Sequence, residues 1–186
     1  MPALMPPRLT VLLCLAALAQ GLAACGTKDT KQGVDEPARE GLSLPLDGIH
    51  YNVFITRELN PRITPDKSYV PANIEPDARH TIYGVFLQAC NKGEESQQTA
   101  DRFTIVDNQG NRFEPTPLPE ANDFAYHPRV LAPNECIPEA GSVAQLGPTA
   151  GAMLLFRLPL ANTEFRPLLL EVEGPAGGHL TFTLDI

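Results

Sequence analysis

An all-β fold, built as an antiparallel β-sandwich after a leader and a flexible tether, is what this sequence predicts, on three observations. Apolar residues recur at every second position in several short segments, the period of a half-buried strand. Turn formers are abundant, with 19 prolines and 14 glycines against no tryptophan. No long stretch keeps a helical period: Asp66 to Arg79 is cut by Pro71 and Pro76, and Glu94 to Arg102 has room for two turns at most. An α/β fold would need helical patterns of about 10 to 15 residues between its strands, and they are absent.

The chain opens on a different kind of segment. Arg8 precedes an apolar run from Leu9 to Leu18, and small residues follow up to Ala24, with no acid anywhere before Cys25. Charge, apolar stretch and small exit residues are the three parts of an export signal. Gln20 and Gly21 break the run well short of the roughly 20 residues that span a bilayer, so residues 1–24 read as a cleaved signal peptide. The junction Leu22-Ala23-Ala24-Cys25 resembles the lipobox of bacterial lipoproteins. That resemblance implies a lipid-modified Cys25 as the first mature residue. Two or three acyl chains, at about 0.8 kcal/mol per buried CH₂, anchor stably where one chain does not. The expected location is therefore the extracytoplasmic face of the cell membrane or outer membrane.

From Cys25 to Leu46 the chain is polar, charged and rich in turn formers, with no apolar period. It is expected to be a disordered tether over residues 25–46, standing the domain some 25 Å off the membrane as a random coil. The sandwich is then expected over 47–186.

Its strands follow in order. Ile49, Tyr51, Val53 and Ile55 alternate with polar residues, Phe54 being the exception. Thr81 to Ala89 is the most apolar stretch of the domain and reads as a central strand. Arg102 to Val106 and Arg112 to Glu114 flank Asp107-Asn108-Gln109-Gly110-Asn111, a turn of somewhat more than two residues. Ala152 to Leu158 follows Gly151. Leu168 to Glu173 and His179 to Ile186 form a C-terminal hairpin, in which Leu180, Phe182, Leu184 and Ile186 put one face on the core.

Three blocks of this series carry a second resemblance: Gly84 to Ser96 (GVFLQACNKGEES), Phe103 to Pro115 (FTIVDNQGNRFEP) and Ala152 to Phe165 (AMLLFRLPLANTEF). Their order is similar to that in the DUF4352-like, immunoglobulin-like domains of bacterial surface lipoproteins, over about Gly48 to Ile186. The resemblance implies an immunoglobulin-like sandwich that binds or supports something outside the cell. It carries over no active residues. The long Asn60 to Arg79 insertion and the cysteine pair depart from it.

Of four cysteines, Cys14 leaves with the signal and Cys25 takes the lipid. Cys90 and Cys136 remain as an even pair in a compartment that permits disulfides, and are expected to be bonded. Charge narrows the function classes. The chain carries 14 basic and 22 acidic residues, a net −8 that becomes −9 once Arg8 leaves with the signal. Nucleic acid is thereby excluded as a partner, since phosphate binding needs clustered Lys and Arg, and anionic lipid does not hold the domain. The membrane contact runs through the acyl chains.

No nucleophile elbow, P-loop, dinucleotide fingerprint, zincin helix or paired-cysteine metal motif occurs. The histidines His50, His80, His127 and His179 are scattered singly. The expectation is a binding or interaction module of the cell envelope, without catalysis, cofactor or metal, and with an envelope protein as its partner. A structural or assembly lipoprotein is the alternative, and an extracytoplasmic metal-binding protein or hydrolase a further one. Two loops are candidate binding surfaces. One runs from Arg57 through Asn60, Arg62 and Tyr69 to Val70; the other, Asn122 to Arg129, holds Phe124, Tyr126, His127 and Arg129. Long loops and clustered aromatics with Arg are where recognition tends to sit. The competing expectation is that the aromatics merely pin each loop over the sandwich.

Overall fold

The computed structural model describes residues 36–186 apart from Pro76. The expected signal segment 1–24, the lipid-bearing Cys25 and the first part of the expected tether lie outside the described residues. Twelve strands run in chain order: β1 (Ala38–Arg39), β2 (Ser43–Leu46), β3 (Ile49–Glu58), β4 (His80–Asn91), β5 (Gln97–Gln98), β6 (Arg102–Val106), β7 (Arg112–Phe113), β8 (Val130–Leu131), β9 (Cys136–Ile137), β10 (Ala152–Pro159), β11 (Leu168–Glu173) and β12 (His179–Leu184). Among the described residues one α-helix, α1 (Val143–Leu146), precedes β10, and two short 3-10 helices lie at Asp66–Ser68 and Leu160–Glu164.

The strands form an antiparallel β-sandwich with a single parallel pair, β1 beside β12. One sheet has the order β1-β12-β11-β6-β7, the other β10-β4-β3-β2 with β9 also on β4, and β5-β8 makes a small third ladder. Alternation decides what meets between the layers. Tyr51, Val53, Tyr83, Val85, Leu87, Leu154 and Phe156 of one sheet face Phe103, Ile105, Leu170, Val172, Leu180 and Phe182 of the other in one buried cluster. The exception at Phe54 has a structural counterpart: the register of β3 on β4 shifts between Val53 and Ile55, so one extra residue bulges out and the alternation resumes on the far side.

β4 is buried along nearly its whole length. Its outward residues Ile82 and Phe86, with Met153 and Leu155 of β10, form a second cluster with Leu59, Tyr69 and Val70, and Ile74, Leu118 and Phe124 pack against it. A strand covered on both faces loses the polar half of its alternation. This is why Thr81 to Ala89 reads as an unbroken apolar run.

The expected tether ends too late. Residues 38–46 belong to the sandwich: Ala38 pairs with Phe182 and Leu46 with Ile49. Asp47 and Gly48 both take positive φ, 48° and 83°, as a two-residue hairpin turn requires. A strand of four residues containing Pro45 carries too little alternation to stand out, yet Asp47-Gly48 was a readable hairpin signal. Cys136 lies in β9, directly opposite Cys90 of β4, and the two sulfurs are bonded. The stretch from Glu94 to Arg102 contains β5 and no helical turn. No described helix is long and apolar enough to cross a membrane.

Candidate functional site

The two candidate loops meet on the outer face of the β10-β4-β3-β2 sheet. Tyr69 is fully buried, with Phe86 and Phe124 edge-on at centroid distances of 5.2 and 4.7 Å, and the amide Nδ2 of Asn122 donates to the Tyr69 carbonyl at 3.0 Å. Arg57 lies 5.8 Å over the Tyr69 ring and pairs with Asp66, whose second oxygen accepts from the Asn60 backbone at 2.9 Å. Asp66 is 4% exposed, so this pair closes the loop from inside. Arg62 stays exposed, its backbone N–H donating to Asn60 Oδ1 at 3.0 Å.

The second loop is fastened to a sheet edge. β10 ends its sheet, and its open side receives Met153 N–H to the Phe124 carbonyl (2.6 Å), Tyr126 N–H to the Met153 carbonyl (2.9 Å) and Thr116 N–H to the Leu155 carbonyl (2.7 Å). Tyr126 turns inward, 7% exposed, against Phe103 at 5.1 Å, and its hydroxyl donates to the Ala100 carbonyl at 2.9 Å. Arg129 bonds Glu135 at 3.2 Å and the Cys136 carbonyl at 3.4 Å. The Nε2 of the half-buried His127 has no partner among the described residues. Of the two readings of Tyr69 and Tyr126, rings offered to a partner or rings pinning each loop over the sandwich, the first is corrected and the second describes the structure: both rings pack inward, where each finds more apolar surface beneath the loop than above it, and Tyr126 keeps only a 7% exposed edge. Phe124 is half-buried between them and the solvent.

A third feature closes the long insertion. Asp77 accepts from the backbone N–H groups of Arg79 (2.7 Å) and His80 (2.9 Å), faces His80 Nδ1 at 3.0 Å and pairs with Arg157. Those donors, the Arg79 N–H foremost and His80 next, hold its carboxyl down at about 2. The four histidines lie on β3, the start of β4, the loop before β8, and β12. Among the described residues no group of three or more His, Cys, Asp or Glu side chains is placed to hold a metal.

What the loops leave open is a groove of about 560 Å³ along one flank of the sandwich. It lies between Asp101–Thr104 at the start of β6 and Leu154–Leu155 of β10, and Glu114 to Leu118 form its outer wall. The floor is apolar: Phe103, Tyr126 and Leu154 are all buried. The rim is charged. Arg102 pairs with Glu173 at 3.1 Å and Arg112 with Glu171 at 2.7 Å, so these four charges cancel in exposed pairs. Asp101 and Glu114 have no cationic partner among the described residues. A concave apolar floor under a few polar groups is the ordinary form of a binding site. Tyr126 belonged to a candidate loop, but the β6 half of the groove had no sequence signal, since it arises from where two sheets end.

No family model matches this chain, and no curated protein matches it significantly. Among solved structures the fold recurs. An uncharacterized β-sandwich protein from Clostridium difficile 630 superposes with a TM-score of 0.51 at 12% identity, over 83% of this chain and 97% of that one. The yjhA protein of Bacillus subtilis gives 0.52 at 12% identity, over 80% of this chain and 99% of that one. At such identity the likeness is one of fold.

Proposed function

We propose that the protein is a lipid-anchored binding module of the bacterial cell envelope, held at the membrane through Cys25 and engaging an envelope partner through the groove between β6 and β10. The observation that carries the binding half is that groove, a concavity floored by Phe103, Tyr126 and Leu154 and walled by Glu114 to Leu118, while Tyr69 of the other candidate loop is packed away entirely. The lipobox Leu22-Ala23-Ala24-Cys25 supports the anchor, and the similarity of the three sequence blocks to DUF4352-like domains of surface lipoproteins supports an extracytoplasmic place. The net charge of −8 makes acyl chains, not lipid headgroups, the means of attachment. A concave apolar floor under a few polar groups supports binding.

Fractionation of cells producing the wild-type chain or Cys25→Ser tests the anchor. The parent is expected in the membrane fraction with a mass raised by diacylglycerol and an acyl group, and the variant in the soluble extracytoplasmic fraction; equal partitioning of the two overturns it. A photo-crosslinking amino acid at Pro128, an exposed uncharged residue lining the groove, in the full chain in living cells, tests the groove. A discrete adduct from position 128 and none from Lys67, exposed on the insertion, is the expected result. Equal adducts from both positions, or none from position 128, would remove the groove as the contact.

A further inference from the structure

The groove has a backbone wall as well as an apolar floor. β6 pairs with β11 over Arg102 to Val106, but on its other side β7 covers only Ile105 and Val106, through Phe113 and Arg112. Carried on in the same register, the chain after β7 would set Glu114 opposite Thr104, Pro115 opposite Phe103 and Pro117 opposite Asp101. Proline has no N–H to give a ladder. The segment instead peels away, and the Thr116 N–H bonds Leu155 of the other sheet. Arg102, Phe103 and Thr104 are left along the groove with one strand edge unpaired, and no loop backbone or side chain among the described residues bonds to that edge.

We propose that the occupant of the groove is an extended basic peptide segment of the partner, added as a strand along Arg102–Thr104. This rests on the binding function proposed above and names its ligand class. Ladder groups alternate along a strand, and the Asp107 N–H bonds the Asn111 carbonyl on this side, so within Arg102–Thr104 it is Phe103 whose N–H and C=O face the groove, one exchange pair on which a guest strand can register. Main-chain hydrogen bonds to such an edge supply affinity, and pockets for alternate side chains supply selectivity. Here alternate residues of the guest point onto Phe103, Tyr126 and Leu154, which call for apolar side chains. The residues between them meet Asp101 and Glu114, the two rim charges left uncancelled, which call for Lys or Arg. The net negative charge of the chain favours the approach of a cationic segment over an anionic one.

Four fluorescent hexapeptides test this against the full chain in detergent micelles: Lys-Val-Lys-Val-Lys-Val, its Glu-Val counterpart, and two forms of the first N-methylated either at its lysines or at its valines. By anisotropy the Lys-Val peptide is expected to bind at least tenfold more tightly than the Glu-Val one, and Asp101→Lys with Glu114→Lys to erase that preference. A strand paired on one side bonds through alternate residues only, so one N-methylated form is expected to lose binding and the other to keep it. Amide exchange over Asp101–Val106 is expected to slow in the complex. Equal binding of Lys-Val and Glu-Val peptides, equal behaviour of the two N-methylated forms, protection elsewhere in the chain, or pairing of β6 with a second copy would each overturn the proposal. If any of these occurs while position 128 still yields its adduct in cells, the groove binds something other than a basic strand. If the adduct is missing too, the binding function falls with it.

Discussion

Two phenols hold the Ala100 peptide from opposite sides. The Ala100 N–H donates to the Tyr51 hydroxyl at 2.6 Å, and the Tyr126 hydroxyl donates to the Ala100 carbonyl at 2.9 Å, joining β3, the segment before β6 and the second loop in the interior. Tyr126→Phe is expected to cost about 1 kcal/mol, the net worth of a buried hydrogen bond. Tyr69→Phe removes no protein hydrogen bond and is expected to cost less, while Tyr126→Ala costs about 3 to 5 kcal/mol through the emptied ring volume. Urea unfolding of the three variants checks the order, and a Tyr69→Phe loss equal to that of Tyr126→Phe would contradict it. Burial pushes the Tyr51 hydroxyl up to about 12, against about 10 for an unfolded chain. A raised pKa favours the folded state fully below about pH 10, and that share of stability is lost as pH climbs through 12. Tyr51→Phe should flatten this alkaline fall in stability; an unchanged slope between pH 10 and 12 would show that Tyr51 does not set it.

At the scale of elements, the disulfide ties the end of β4 to a strand of only two residues, closing a separation of 46 residues. On the loop-entropy model that constraint stabilises the fold by about 4 kcal/mol. Replacing Cys90 and Cys136 together by Ala is expected to lower stability by that order, measured by thermal unfolding under oxidising conditions, with a loss below about 1 kcal/mol contradicting it. Short β9 is where the loss is felt first, since two ladder residues cannot hold the connection to β4 alone. The prolines after β7 act in the opposite sense: Pro115 and Pro117 end pairing and so shape the groove. They are as visible in the sequence as any strand, but their effect depends on which strand lies opposite.

Over the whole molecule, a sandwich of ordinary design carries an extra layer on one outer face. The insertion after β3 and the segment from Glu114 to His127 together cover Ile82, Phe86, Met153 and Leu155, which a bare sandwich would expose. Replacing residues 60–79 by a short Gly-Ser connector should leave the main core intact yet expose a contiguous apolar patch. Increased binding of an apolar dye with retained β circular dichroism is the expected outcome; a variant that binds no more dye than the parent would mean the insertion covers nothing. The rim pairs Arg102–Glu173 and Arg112–Glu171 are exposed and contribute little to stability. Their role is to leave Asp101 and Glu114 as the net field of the groove.

Alternation with period two is a local property, so the strands at Ile49, Thr81, Arg102, Ala152, Leu168 and His179 were legible from residue order, as was the cysteine pair from the even count left in the domain. Of the short strands, β7 was legible through the turn that joins it to β6, whereas β1, β2, β5, β8 and β9 hold at most two alternations and exist through the partners that packing brings beside them. The same limit governs the candidate site. Tyr69 and Tyr126 look alike to any local rule, and whether an aromatic on a loop faces a partner or the core depends on what lies beneath the loop. Only the tertiary structure decided that both turn inward, and that the open surface lies instead where two sheet edges diverge. No single stretch of chain encodes such a gap, because its walls come from segments far apart in sequence and its width from how the two layers pack.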